Sequence, residues 1–349
     1  MKLDAALLAG DPREGGPAAK RLEELGFDGG FTFEGRHDPF LPVLAAAATT
    51  QRLELYTAVA IALARSPMTL AYTAWDLNLA SEGRFLLGLG TQIRPHVERR
   101  YSMPWSKPAA RMREMVLALR AIWNRWQHGE KLEFRGEFYT HTLSTPVFEP
   151  GPSPHGAPRI LCAGVGPRMT DVAGEVADGF LVHPFHTPAF LREHGLRWLA
   201  EGLARAGRSR GQIEVGCQVI VAIGRSDEEL ARARNGARAQ ISFYASTPAY
   251  RPVLEHLGCG SLQEELRSLS LEGRWLEMAG RIGDDLVDAI AVCGPPEEVA
   301  ARLAARYSGL VDRLALVAPT SPKALEDAGL VAAIRQALAR RGREAGPAP

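Results

Sequence analysis

Short stretches that are apolar on both faces, rather than at every second position, recur along the chain. They are LDAALL at 3–8, GFTFE at 30–34, LELYTAVAIA at 53–62, RFLLGLG at 84–90, RILCAG at 159–164, GFLVH at 179–183, EVGCQVIVA at 214–222 and RLALVA at 313–318. Unbroken hydrophobicity of this length predicts strands covered on both faces, as in a parallel sheet sealed by helices. Between the runs the apolar spacing changes to three and four. PAARMREMVLALRAIWNRW places Met112, Met115, Val116, Leu119, Ile122, Trp123 and Trp126 on one helical face, and GPAAKRLEELG closes on Gly26 as a C-terminal cap.

Strand and helix therefore alternate, and LEELGFDGGFTFE (22–34) and AGEVADGFLVHPF (173–185) repeat one device, a helix passing through Asp-Gly into an apolar strand. Eight strands, the helical regions between them and a last helix in PKALEDAGLVAAIRQALARR predict an α/β fold, a (β/α)8 TIM barrel. Two connections are too long for simple loops and read as insertions over the active face, after strand 4 (about 91–158) and after strand 7 (about 224–312). The first should hold a β excursion in EFRGEFYTHTLSTPVF. Residues 1–341 are expected to form a single barrel domain and 342–349 a disordered tail.

Composition narrows the chemistry. With 41 Lys and Arg against 40 Asp and Glu, the formal charge of +1 excludes the basic excess that nucleic acid or an acidic membrane surface would select. A small-molecule substrate is the expected partner. MKLDAALLAGDPREGG lacks the uninterrupted apolar segment of a signal peptide, and no run reaches the ~20 residues of a membrane helix, so a cytoplasmic protein is expected. Cys162, Cys217, Cys259 and Cys293 form no close pair and read as reduced, mostly buried thiols, and no metal site is expected.

In such barrels chemistry gathers where strands end. TFEGRHDPF sets Glu34, His37 and Asp38 just past the second strand, in a loop suited either to acid–base work or, through Asp38, to capping the next helix. LCAGVGPRMT reads as strand, glycine turn and helix. Ala163, Gly164, Val165 and Gly166 expose backbone amides, and a helix opening at Pro167 adds its positive end, which makes an anion cradle or a plain tight turn. Gly88 and Gly90 either admit a flat ring to the backbone or relieve crowding in the barrel. VHPFH contributes His183 and His186, without the register or carboxylate of a zinc site, and GRSRG at 207–211 precedes a strand instead of coming after one, which disqualifies it as a nucleophile elbow.

ARSPMTLAYTAWDLNLASEGRFLLGLGTQ, RMREMVLALRAIW, FRGEFY and AGEVADGF, in this order and spacing, resemble the luciferase-like monooxygenase superfamily, in particular its coenzyme F420-dependent oxidoreductase branch. The resemblance implies a bacterial luciferase-like barrel with a flavin-type ring at the carboxyl ends of its strands. Gly90 and Thr91 would border the ring, and Ala163 to Pro167 would take the phosphate. A non-proline cis peptide is implied near Ala58-Val59, against the ring's back. The implied activity is hydride transfer between the deazaflavin C5 and a small organic substrate, with Glu34 and His37 handling protons and His183 in reserve. Many members place histidine directly after the acid; here Gly35 stands there and histidine comes only at His37. The alternatives are an FMN-dependent monooxygenase using reduced flavin and oxygen, and a non-catalytic barrel that binds flavin or deazaflavin. A homo-oligomer, dimer or tetramer, is expected.

Overall fold

The computed structural model describes residues 1–7 and 10–344. Eight parallel strands close into a barrel: β1 (Lys2–Ala6), β2 (Gly29–Thr32), β3 (Glu54–Thr57), β4 (Phe85–Gly90), β5 (Arg159–Gly164), β6 (Gly179–Val182), β7 (Glu214–Ile223) and β8 (Arg313–Val317). Each pairs with its neighbour in sequence, and β8 closes the ring by pairing with β1 at Leu3↔Leu314. All eight apolar runs are thus barrel strands. The third is interrupted. After Thr57 the Ala58-Val59 peptide is cis, and Ala60–Ile61 resumes pairing with β4 at Leu89 and Gly90.

Outward-facing residues of the strands bury against the helical ring, with Leu3, Leu55, Phe85, Leu87 and Leu89 all fully or almost fully inaccessible. Between the ends of β3 and β4 runs a helix at Pro67–Ala80, and a long helix at Pro108–His128 lays Met112, Met115, Val116, Leu119, Ile122, Trp123 and Trp126 on the same core. The Trp123 indole donates to the Ala71 carbonyl at 3.2 Å, so the long helix belongs to the barrel's ring. The additions after β4 reduce to a one-turn π-helix at His96–Arg100 and an antiparallel hairpin pairing Phe134–Arg135 with Thr140–His141. After β7 the chain builds six helices: Asp227–Ala245, Arg251–His256, Leu262–Leu271, Trp275–Gly280 and Asp284–Ile290 share their own apolar core around Ile241, Leu254 and Leu266, and Pro296–Tyr307 packs on the main core. The last helix reaches Glu344, so residues 342–344 of the expected tail continue it; 345–349 lie outside the described residues.

The barrel interior is filled in layers. At the amino ends of the strands a charged plug sits around buried Arg313, whose guanidinium donates to Asp4 at 2.9 Å, to Glu214 at 3.1 Å and to Glu54, while the Tyr56 hydroxyl donates to Asp4 at 2.9 Å. Above it Phe31, Tyr56, Leu86, Leu161, Leu181 and Ala315 form an apolar layer. The uppermost layer, Ala6, Ala58, Val59, Ala163 and Val317, is small and only partly buried. The barrel is therefore solid below and shallowly open at the carboxyl ends of its strands. No helix of the described residues is long and apolar enough to cross a membrane. The four cysteines are free, and three of them are buried.

Candidate functional site

The mouth is built by the segments that leave the carboxyl ends of the strands. Past β2, Glu34 turns inward to a side-chain exposure of 6%. Its Oε2 accepts from Arg65 Nη1 at 2.6 Å and from the Ile61 amide at 2.7 Å, and its Oε1 accepts from the Tyr101 hydroxyl at 2.8 Å. Arg65 also reaches Asp38 at 3.1 Å, and Asp38 accepts from the Phe40 amide at 2.9 Å where the helix Phe40–Ala47 begins. Burial opposes the Arg65 charge, but Glu34 and Asp38 outweigh it and hold its pKa above the ordinary value. Burial and the bond to Glu34 likewise raise the Tyr101 phenol. Both Glu34 oxygens are engaged, and the side chain ties the β2 loop to the segment after the cis peptide. Of the loop's ionisable groups, Arg36, His37 and Asp38 are exposed.

The glycines of β4 answer to the chain itself. A Cβ on Gly88 would fall on the Thr57 carbonyl oxygen, and one on Gly90 would lie 2.6 Å from Val59 Cγ2. Thr57 further locks the approach, its hydroxyl donating to the Gly88 carbonyl at 2.6 Å and accepting from the Gly88 amide at 3.0 Å. The close approach of the irregular end of β3 thus by itself requires glycine at both positions. Gly90 is buried and Thr91 half-buried beside it. Ala58 and Val59 stay partly open, and the Ala58 carbonyl accepts from Gln218 Nε2 at 3.3 Å.

Ala163, Gly164, Val165 and Gly166 lead from β5 into the helix Pro167–Val176. Gly166 is the N-cap in extended backbone (φ −101°, ψ 169°), and no side chain caps the helix. First-turn amides have no partners within a helix, and here they border open space, for a Cβ on Gly166 would meet nothing within 4 Å. Gly164 is tighter, with Met169 Cγ and the Thr170 amide nitrogen 3.1 Å from its virtual Cβ.

Past β6, His183 accepts from the Phe185 amide on Nδ1 at 3.1 Å, and its Nε2 meets the Tyr250 hydroxyl at 3.1 Å. Nδ1 being an acceptor, the ring proton belongs on Nε2. Burial, with the neighbouring His186, holds the His183 pKa down to about 3, so the ring is neutral near pH 7. Tyr250 stacks on it at 4.5 Å between centroids, and Tyr244 packs edge-on at 4.6 Å. His186 is buried behind it, donating from Nδ1 to the His183 carbonyl at 2.9 Å while Cys217 Sγ and the Tyr307 hydroxyl reach its Nε2 at 3.2 and 3.3 Å. A small cavity of about 20 Å³ lies between Gly164, His183 and Phe190. A larger groove of about 870 Å³ lies at the opposite, amino end of the barrel among paired charges such as Arg159–Glu214 and Arg210–Asp312.

The structure thus brings together, at one mouth, Glu34, His37, Ala58, Val59, Gly90, Thr91, the 163–167 turn and His183. Sequence reading missed Arg65, Tyr101, Gln218 and Tyr250. Arg65 stands in the ARSP stretch directly before a proline-initiated helix, a signal that could have marked it. Tyr250 lies 67 positions from His183 and carried none.

A family model described as luciferase-like monooxygenase matches residues 2–313. An uncharacterized protein of Mycobacterium tuberculosis is 55% identical over 297 residues, 85% of this chain and 87% of the relative. The 5,10-methylenetetrahydromethanopterin reductase of Archaeoglobus fulgidus is 26% identical over 87% of this chain and 89% of its own length. Among solved structures, the coenzyme F420 dependent tetrahydromethanopterin reductase from Methanopyrus kandleri superposes with a TM-score of 0.78 at 20% identity, covering 97% of this chain and 98% of that one.

Proposed function

The chain belongs to the luciferase-like monooxygenase family and is an enzyme of the oxidoreductase class, and from that premise we propose that it is an F420-dependent oxidoreductase acting on a small organic substrate. One observation carries the reading: a filled barrel whose top layer is cut back to Ala6, Ala58, Val59, Ala163 and Val317, beside an uncapped helix start at Gly166. Small apolar side chains over a packed layer suit the face of a flat ring, and the open amides suit a phosphate on its side chain. The residues present therefore fit a phosphorylated flavin-type cofactor. The deazaflavin is preferred to FMN because the four sequence blocks resemble the F420 branch and because the similar Methanopyrus kandleri reductase is F420 dependent.

The bound cofactor would supply the hydride chemistry at its C5. The chain's share is to bind, orient and handle protons. Ala58 and Val59, held by Thr32, Gln218 and Glu34 through backbone bonds and side chains, offer a firm apolar wall. The 163–167 turn provides donors for the phosphate. His37 is the exposed imidazole of the β2 loop and is assigned the proton transfer. Neutral His183, with Tyr250 and Tyr244, shapes the opposite rim.

The test is a titration of the purified protein with F420 and with FMN, monitored by cofactor fluorescence, and then turnover with reduced F420 against a panel of small carbonyl and imine acceptors. Tight F420 binding with hydride transfer supports the reading. Tight FMN binding with oxygen consumption would replace it by the monooxygenase alternative, and binding without turnover by the non-catalytic one.

A further inference from the structure

Beyond the barrel mouth, two imidazoles and a carboxylate from distant parts of the chain converge. Glu193 and His194 sit in a single π-helical turn, Leu191–Gly195, that leads into the helix Leu196–Arg205. His256 ends the helix Arg251–His256 of the insertion after β7. One ligand atom from each of the three lies within 4.8 Å of the others, with His256 Nδ1 4.0 Å from Glu193 Oε2. The imidazoles face edge to plane, 5.4 Å between centroids at 89°.

We propose that Glu193, His194 and His256 form a binding site for a divalent transition metal of the zinc type. Two neutral imidazoles and one carboxylate are the donor set that such ions select, with water completing a four-coordinate shell. Bonds of ~2.0–2.2 Å require ligand atoms roughly 3.4 Å apart. The present separations exceed this by an amount that side-chain rotation closes, because Glu193 is 60% exposed and has room to swing. A π-turn widens the helix locally and recurs at ligand sites.

The site ties two pieces of the active face. Phe190, 5.0 Å from His194 and 5.7 Å from His256 between centroids, lines the small cavity beside His183. The helix ending at His256 begins next to Tyr250, which covers His183. An ion here would clamp the insertion after β7 onto the connection after β6, as a structural staple rather than a reactant.

Untagged protein would be titrated with Co(II), monitored by its visible absorption, and with Zn(II), monitored by thermal unfolding. One equivalent should bind, with bands of mixed nitrogen and oxygen coordination, and Zn(II) should raise the melting temperature. His256→Gln and His194→Gln should each abolish both effects, and Glu193→Gln should weaken binding by roughly tenfold or more. All three side chains are partly exposed, so the variants are expected to fold; circular dichroism without metal checks this. Absence of stoichiometric binding by the parent protein, or binding that survives both histidine substitutions, overturns the proposal.

Discussion

The Glu34 carboxylate and the Arg65 guanidinium meet at 2.6 Å, with side-chain exposures of 6% and 17%, and join the end of β2 to the turn before the helix Pro67–Ala80. A charge pair this enclosed is costly to break from one side, since the surviving partner keeps its desolvation penalty.

Glu34→Gln retains the shape but surrenders the charge that Arg65 and the Ile61 amide both use. The expected loss is ~2–4 kcal/mol of stability, by the worth of charge-assisted bonds and of half-broken buried pairs. Cofactor affinity should fall with it, because Ile61 lies two residues past the Ala58-Val59 wall. Urea unfolding and a fluorescence titration measure the two. An unchanged unfolding midpoint would return Glu34 to the acid–base role read from the sequence.

His37→Ala should behave oppositely. The ring is exposed, so stability should stay within ~0.5 kcal/mol of the parent. Turnover should drop by ~10²–10⁴ if the imidazole carries the proton. A variant with near-parental kcat removes His37 from the mechanism. His183 is a poor substitute, as its Nδ1 is already an acceptor.

Gly88→Ala should be severe. The added methyl would coincide with the Thr57 carbonyl oxygen, a backbone atom that cannot step aside without shifting β3. Overpacking of this kind costs ~1–3 kcal/mol or more. Thermal melts should show a large loss, or expression should fail, whether or not cofactor is present.

The charged plug gives a pH dependence. Burial raises the Asp4 carboxyl from its ordinary 3.8 to about 6, against the pull of Arg313 and Tyr56. A folded-state pKa above the unfolded one means that its contribution is fully present below pH 3.8 and lost as pH rises through about 6. Asp4→Asn, which cannot ionise, should therefore gain on the parent between about pH 4 and pH 7, by up to about 3 kcal/mol at roughly 1.36 kcal/mol per unit. Urea midpoints of both proteins at the two pH values give the difference, and a gap that does not change with pH contradicts the argument.

All eight strands were legible because strands sealed on both faces must be continuously apolar, and the helix of Met112 to Trp126 because its stripe faces the same core. The purpose of the β4 glycines was not. GLGT reads identically whether a ligand or a neighbouring strand presses on it, and only three dimensions reveal that Thr57 and Val59 approach these glycines closely. The pairing of Glu34 was hidden for a related reason: its partners Ile61, Arg65 and Tyr101 lie 27, 31 and 67 residues away. Local sequence marks a carboxylate at a strand end, whereas long-range pairing decides whether it is free to titrate.

Gly166 offers the cleanest separation of fold from function. Its backbone is in the extended region that β-branched residues favour, and its virtual Cβ meets nothing within 4 Å, so valine there should leave the unfolding midpoint within ~0.5 kcal/mol of the parent. The same side chain would stand in front of the uncapped amides of the helix Pro167–Val176, where the phosphate is assigned. Gly166→Val should therefore fold normally and bind F420 and FMN much more weakly, by at least tenfold, the ~1.4 kcal/mol that one lost hydrogen bond represents. Gly164→Ala is the control of opposite sign: its methyl would crowd Met169 and Thr170 at 3.1 Å and perturb stability first. Parental cofactor affinity in a well-folded Gly166→Val protein would place the phosphate elsewhere on the rim.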